Sequence, residues 1–144
     1  MNATSAYDPQ DIAWLLQGLS EEVPVIRGSV LLSSDGMLKA AHGLDRDNSE
    51  RLSALAAGLF SMARSAGAKF DGSDAVRQVV AELYSSQLYI CWAGFNSVLA
   101  VLAEKEADPS VVGFQMAQLI KAVRPFLDTA ARHAAAGGAN RRIS

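Results

Sequence analysis

The 144-residue chain is poor in cysteine, histidine and charge, and each shortage excludes something. Its single cysteine, Cys91, has no partner for an internal disulfide. It lies in the apolar run Leu88-Tyr89-Ile90-Cys91-Trp92, as expected of a chain kept in a reducing compartment. Two histidines far apart, His42 and His133, and a lone cysteine supply no ligand set at metal-site spacing, so no metal is expected. No glycine-rich stretch leads into Gly-Lys-Ser or Gly-Lys-Thr, which excludes a P-loop of the chain's own. The uncharged apolar run at 98–103 is far short of the ~20 residues that span a bilayer, so direct membrane insertion is not expected. The opening Met1-Asn2-Ala3-Thr4-Ser5 lacks the basic and apolar regions of a secretory signal, and a cytoplasmic location is expected. Thirteen basic against fifteen acidic residues give a net charge of -2, which is no footprint for nucleic acid.

The length suits one domain, large enough to bury roughly two-thirds of its unfolded surface. Half the residues are hydrophobic and only 19% are charged, a lean allowance for covering a small protein's own surface. Some apolar area is therefore expected at an interface.

Along the chain, Asp8-Pro9 opens a helix over 9–22 whose apolar residues Ile12, Leu15, Leu16 and Leu19 recur at helical spacing. Two β-rich runs follow, 26–33 and 37–42. Ser34-Asp35-Gly36 between them reads as a hairpin turn with positive φ at its centre. Asp47-Asn48-Ser49-Glu50 reads as an acidic capping box for a second helix that closes at Gly67. One side of that helix carries Leu52, Leu55, Ala56, Leu59, Met62, Ala63 and Ala66; the other carries Ala54, Ala57, Gly58, Ser61 and Ser65. An exposed helix face ordinarily carries Lys and Glu, so a small, uncharged face points to close approach by another backbone, as in self-association.

Three further strands are expected over 75–83, 88–93 and 97–103, the last two apolar on both sides and hence covered on both faces. Asp108-Pro109 repeats the cap-and-proline device before a final helix bearing Val112, Met116, Leu119, Ile120 and Val123, which Pro125 should kink or briefly break. Residues 1–8 read as a flexible start, 9–134 as the domain and 135–144 as a disordered tail.

No constellation carries convincing chemistry. Cys91 with His42 as base is a possible nucleophile by residue type, but a thiol between Ile90 and Trp92 reads as a small core residue. Asp35 is accounted for by turn geometry. Tyr89 and Trp92 lack the interleaved Lys and Arg of a base-stacking platform. No catalytic residue, cofactor or enzymatic activity is expected.

The first-helix pattern Leu15-Leu16-x-x-Leu19, the hairpin Val30-Leu31-Leu32-Ser33-Ser34-Asp35-Gly36-Met37-Leu38, the Ala-rich second helix and the closing strand trio resemble, in this order, a bacterial-type Roadblock/dynein light-chain family protein. The resemblance spans about 9–131. It implies an α+β fold, αββαβββα, with a five-stranded antiparallel sheet carrying one helix on one face and two on the other. It also implies a homodimer in which second helices pack side by side and third strands pair. On this chain that surface is Ala54, Ala57, Gly58, Ser61 and Ser65 with Val76, Gln78 and Val80, and Arg51 and Arg64 are candidate partner contacts. The implied partner is a Ras-like small GTPase whose nucleotide cycle the protein modulates, with a sensor-kinase-like membrane protein as a further partner that recruits the complex. Two rivals stand beside this reading: a small-molecule sensor, for which Gln78, Gln87 and His42 are the polar residues that would line a pocket, and a passive scaffold dimer.

Overall fold

The computed structural model describes the backbone of residues 9–143 and the side chains of 10–129 and of Arg132. The elements run α1 (Pro9–Glu22), β1 (Ile26–Ser33), β2 (Leu38–His42), α2 (Arg46–Phe70), β3 (Val79–Glu82), β4 (Ser86–Gly94), β5 (Ser97–Glu104) and α3 (Pro109–Ile143). The five strands form one antiparallel sheet in the order β2-β1-β5-β4-β3, so the hairpin strand β2 and the short β3 are its edges.

Strand alternation divides the core into two layers. Leu31, Tyr89, Leu99 and Val101 point to the side covered by α1 and α3, which contribute Ile12, Leu16, Leu19, Val112, Met116 and Val123. Val30, Leu32, Leu88, Ile90, Val98 and Ala100 point to the side covered by α2 alone, through Ala56 and Phe60. Both faces of β4 and β5 are covered, as their continuous apolar sequences require, with two helices on one side and one on the other.

Several boundaries differ from the sequence expectation for local reasons. Helix α2 is capped by Asp45, whose side chain accepts from the Asn48 amide at 2.8 Å; the Asp47 box is already inside the helix. Gly67 does not end α2. The helix runs to Phe70, and the left-handed residue after its cap is Gly72, with φ +70. Gly67 serves a different purpose: the Asp71 and Ser73 amides both return to its carbonyl, and a Cβ on it would stand 2.6 Å from the Ser73 carbonyl oxygen.

The hairpin turns also exchange characters. In the β1–β2 turn Gly36 has positive φ and Asp35 does not; the Gly36 amide closes on the Ser33 carbonyl, and the register shifts between Leu31 and Leu32. That is a turn followed by a bulge rather than the two-residue type with positive φ at both centres. The latter geometry falls at β4–β5, where Phe95 and Asn96 have φ of 52 and 62. The two turns are joined, since the Ser34 amide donates to the Asn96 carbonyl at 3.3 Å and their side chains also hydrogen-bond.

Helix α3 is capped by Asp108, whose side chain accepts from the Ser110 amide at 2.9 Å. It passes through Pro125 without a break in its helical course, and Val123 and Leu127 stay buried on either side of the ring. The proline deletes one hydrogen bond on the exposed flank, while Val123 and Leu127 keep the other flank packed. The backbone continues as α3 to Ile143 where composition suggested a tail from 135; the Ala134-Ala135-Ala136 run favours helix, and extending an existing helix costs little. Residues 1–8, including the expected Asp8 cap, lie outside the described residues.

Candidate dimer and partner surface

The sheet-facing side of α2 is Ser49, Ser53, Ala56 and Phe60, with Leu52 and Leu59 packed at its margin. The expected apolar stripe is therefore only half right: Leu55 and Met62 point outward, each 64% exposed. Two serines take buried places because their hydroxyls are satisfied within the chain, Ser53 donating to the Ser49 carbonyl at 2.9 Å and Ser49 to the Leu44 carbonyl at 3.3 Å. Phe60 belonged to neither sequence stripe, although its position four residues after Ala56 is the signal that places it inward.

The outward side brings together Ala54, Gly58, Ser61 and Ser65 with Leu55 and Met62. Ala57 is only partly exposed, because the β1–β2 turn leans on it: a Cβ at Gly36 would stand 3.5 Å from its own. Gly58 is in the middle of this flank, and a Cβ added there meets nothing within 4 Å. A mid-helix glycine costs about 1 kcal/mol relative to alanine, and no neighbour among the described residues requires that absence of a side chain.

The strand part of the candidate surface is divided. Strand β3 is a sheet edge, but it spans only four residues, so Val76 and Gln78 precede it. Val76 packs with Val79 and Ala81 in the layer under α2. Val80, opposite Tyr89, faces the α1–α3 side and is 48% exposed. Gln78 turns the same way, its Oε1 3.9 Å from where a Gly113 Cβ would lie.

Arg51 is exposed on the outward flank of α2. Arg64 is engaged: it donates to the Asp74 carboxylate at 2.8 Å and lies 6.0 Å from the Trp92 ring centroid, while Phe60 stacks on the same ring at 6.0 Å. The guanidinium holds the Asp74 carboxyl below its ordinary range. Phe60, Arg64, Asp74, Val76 and Trp92 surround a cleft of about 280 Å3 between α2 and the segment leading into β3.

Of the residues considered for chemistry, Cys91 is partly buried in the layer under α3, and burial pushes its thiol up to about 11, away from the thiolate form a nucleophile needs. Gln87 is not a pocket residue: its amide donates to the Lys105 and Ala107 carbonyls at 2.9 and 3.3 Å and its oxygen accepts from the Tyr89 hydroxyl, tying β4 to the connection before α3. Among the described residues no group of His, Cys, Asp and Glu side chains could hold a metal ion. No helix of the described residues is long and apolar enough to cross a membrane.

Comparison with known proteins agrees with this architecture. The family model described as Roadblock/LC7 domain matches residues 12–103. Among solved structures, a Roadblock/LC7 domain from Streptomyces avermitilis is 52% identical with a TM-score of 0.77, covering 80% of this chain and 96% of that one. A second Roadblock/LC7 domain from Streptomyces avermitilis is 33% identical at a TM-score of 0.63, covering 76% and 95%. Myxococcus xanthus MglB shares the fold at 19% identity and a TM-score of 0.70, covering 80% and 87%. Comparison with curated proteins finds no match. With the αββαβββα order, the five-stranded antiparallel sheet and its two-and-one helix layers, the chain belongs to the Roadblock/LC7 domain family.

Proposed function

We propose that the protein is a non-enzymatic homodimeric adaptor that binds a Ras-like small GTPase and modulates its nucleotide cycle in a bacterial signalling complex. The observation that carries the dimer is Gly58: an exposed mid-helix glycine with open space around it, between Leu55 and Met62, is costly alone and useful where a second backbone approaches. The outward residues Ala54, Ser61 and Ser65 complete a flank on which two α2 helices can approach closely, and the free edge of β3 can pair with its copy. Family membership supports the GTPase as partner class. In this reading Arg51 is the better placed of the two arginines to touch a partner, since Arg64 is occupied by Asp74 and Trp92. The adaptor works in the cytoplasm over residues 9–134, with a sensor-kinase-like membrane protein recruiting the complex and the segment 135–144 serving apart from the domain.

A regulator shifts a two-state GTPase only by its differential affinity for the two states. The test is a titration against a Ras-like small GTPase of the same organism, loaded with GDP or with a non-hydrolysable GTP analogue. Tighter binding to one form is expected; equal binding makes the protein a passive scaffold, and binding to neither form sinks the GTPase reading.

A further inference from the structure

We propose that the groove between α3 and the outer end of β4 docks an acidic, amphipathic segment of a partner protein, on a side of the molecule separate from the α2 flank. Because β3 pairs with β4 only from Val79 to Glu82, opposite Gln87 to Ile90, Cys91 and Trp92 continue beyond the paired part of the edge. A groove of about 330 Å3 opens there, bounded by the segment before β3 and by α3. Its apolar side is Cys91 and Ile120, both partly buried, with the small Ala117 keeping the helix flank low; Trp92 borders it at the strand edge, its ring being stacked on Phe60 on the α2 side.

The charge lining is of one sign. Arg77, Lys121 and Arg124 are all exposed on the groove, and among the described residues no carboxylate lines it. The ion pairs among the described residues use Arg46, Arg64 and Arg132, so the three groove cations take part in none of them. A local surplus of three positive charges on a chain of net charge -2 is complementary to carboxylates, and at physiological salt its field reaches only ~8 Å, so it selects what lies in the groove itself.

The occupant is a protein segment rather than a small anion because the polar side chains of the groove, Arg77, Gln78, Lys121 and Arg124, are all exposed. An enclosed ligand site orients its ligand by converging, desolvated polar groups, whereas here the cations form a rim around an apolar strip. That is the anatomy of a protein contact, with an apolar strip inside and charges at the edge. A nucleic acid is the poorer fit, since the rest of the molecule repels phosphate and three contacts give little affinity. This assignment does not depend on the GTPase reading.

The full chain, isotope-labelled, is titrated by NMR with a synthetic peptide of ~14 residues carrying Leu at helical spacing and Glu between. Saturable shifts are expected at the Cys91, Ala117 and Ile120 signals, with at least ~10-fold weaker binding by the double variant Lys121→Glu, Arg124→Glu and no binding of a peptide with Gln for every Glu. Both substitutions are at exposed helix positions, and thermal unfolding checks that the fold is kept. No binding, shifts confined to α2 or α1, or undiminished affinity of the double variant would each overturn the proposal. Tighter binding of a single-stranded oligonucleotide of equal charge would overturn it too, assigning the cations to phosphate.

Discussion

Gly43 and Gly58 show how differently two glycines can act in one small domain. Gly43 has φ +90, and a Cβ there would stand 2.6 Å from the Arg27 carbonyl oxygen and 3.0 Å from the Gly28 Cα, both backbone atoms that cannot yield cheaply. Gly43→Ala is expected to cost about 2–3 kcal/mol, read as a lower midpoint in chemical denaturation. At Cys91 the expected effect depends on pH. Burial raises the native thiol from about 9 to about 11, so its contribution is intact below pH about 9 and is lost as pH rises towards 11, where the unfolded chain ionises first. Denaturation at pH about 8 and about 10.5 should therefore show a smaller loss of stability for Cys91→Ala than for the parent chain; equal losses would mean that the thiol carries none of the dependence.

Among the elements, α2 carries most of the difference between pattern and structure. Its acidic start offers two capping residues, and the hydrogen bond from the Asn48 amide selects Asp45. Asp45→Ala is expected to lower stability by about 1 kcal/mol, while Asp47→Ala, within the first turn, changes it by a few tenths; the reverse order in thermal unfolding would contradict the assigned cap. The helix has small or apolar residues nearly all round, so periodicity alone admitted two inward faces. The choice fell to the stripe ending in Phe60, because that ring reaches Trp92 and fills the layer over Ile90 and Val98, while the buried Ser49 and Ser53 hydroxyls are satisfied by backbone carbonyls. By contrast α1 and α3 were legible: Ile12, Leu16 and Leu19, and Val112, Met116, Leu119 and Val123, are buried as their spacing predicts.

For the molecule as a whole, the prediction concerns what covers α2. If the Gly58 flank is where two copies meet, Gly58→Arg places a long charged side chain at the closest approach of two backbones, and light scattering should show its mass falling from two chains to one with the fold intact. A parent chain that is monomeric at micromolar concentration would remove the basis of the dimer proposal. The sequence by itself determined the element order, the covering of the last two strands on both faces and the absence of a P-loop motif, because hydrophobic period, turn residues and the spacing of phosphate-binding groups are local properties of a chain, whereas the five-stranded antiparallel sheet was expected from the family resemblance. Only the tertiary structure decided that Leu55 and Met62 face outward, that Val76 parts company with Gln78 and Val80, that Arg64 is committed to Asp74, and that Arg77, Lys121 and Arg124 converge on one groove. Each of these depends on which side of the sheet a distant segment occupies, and such a meeting of residues far apart in the chain leaves no period or motif in the sequence around any one of them.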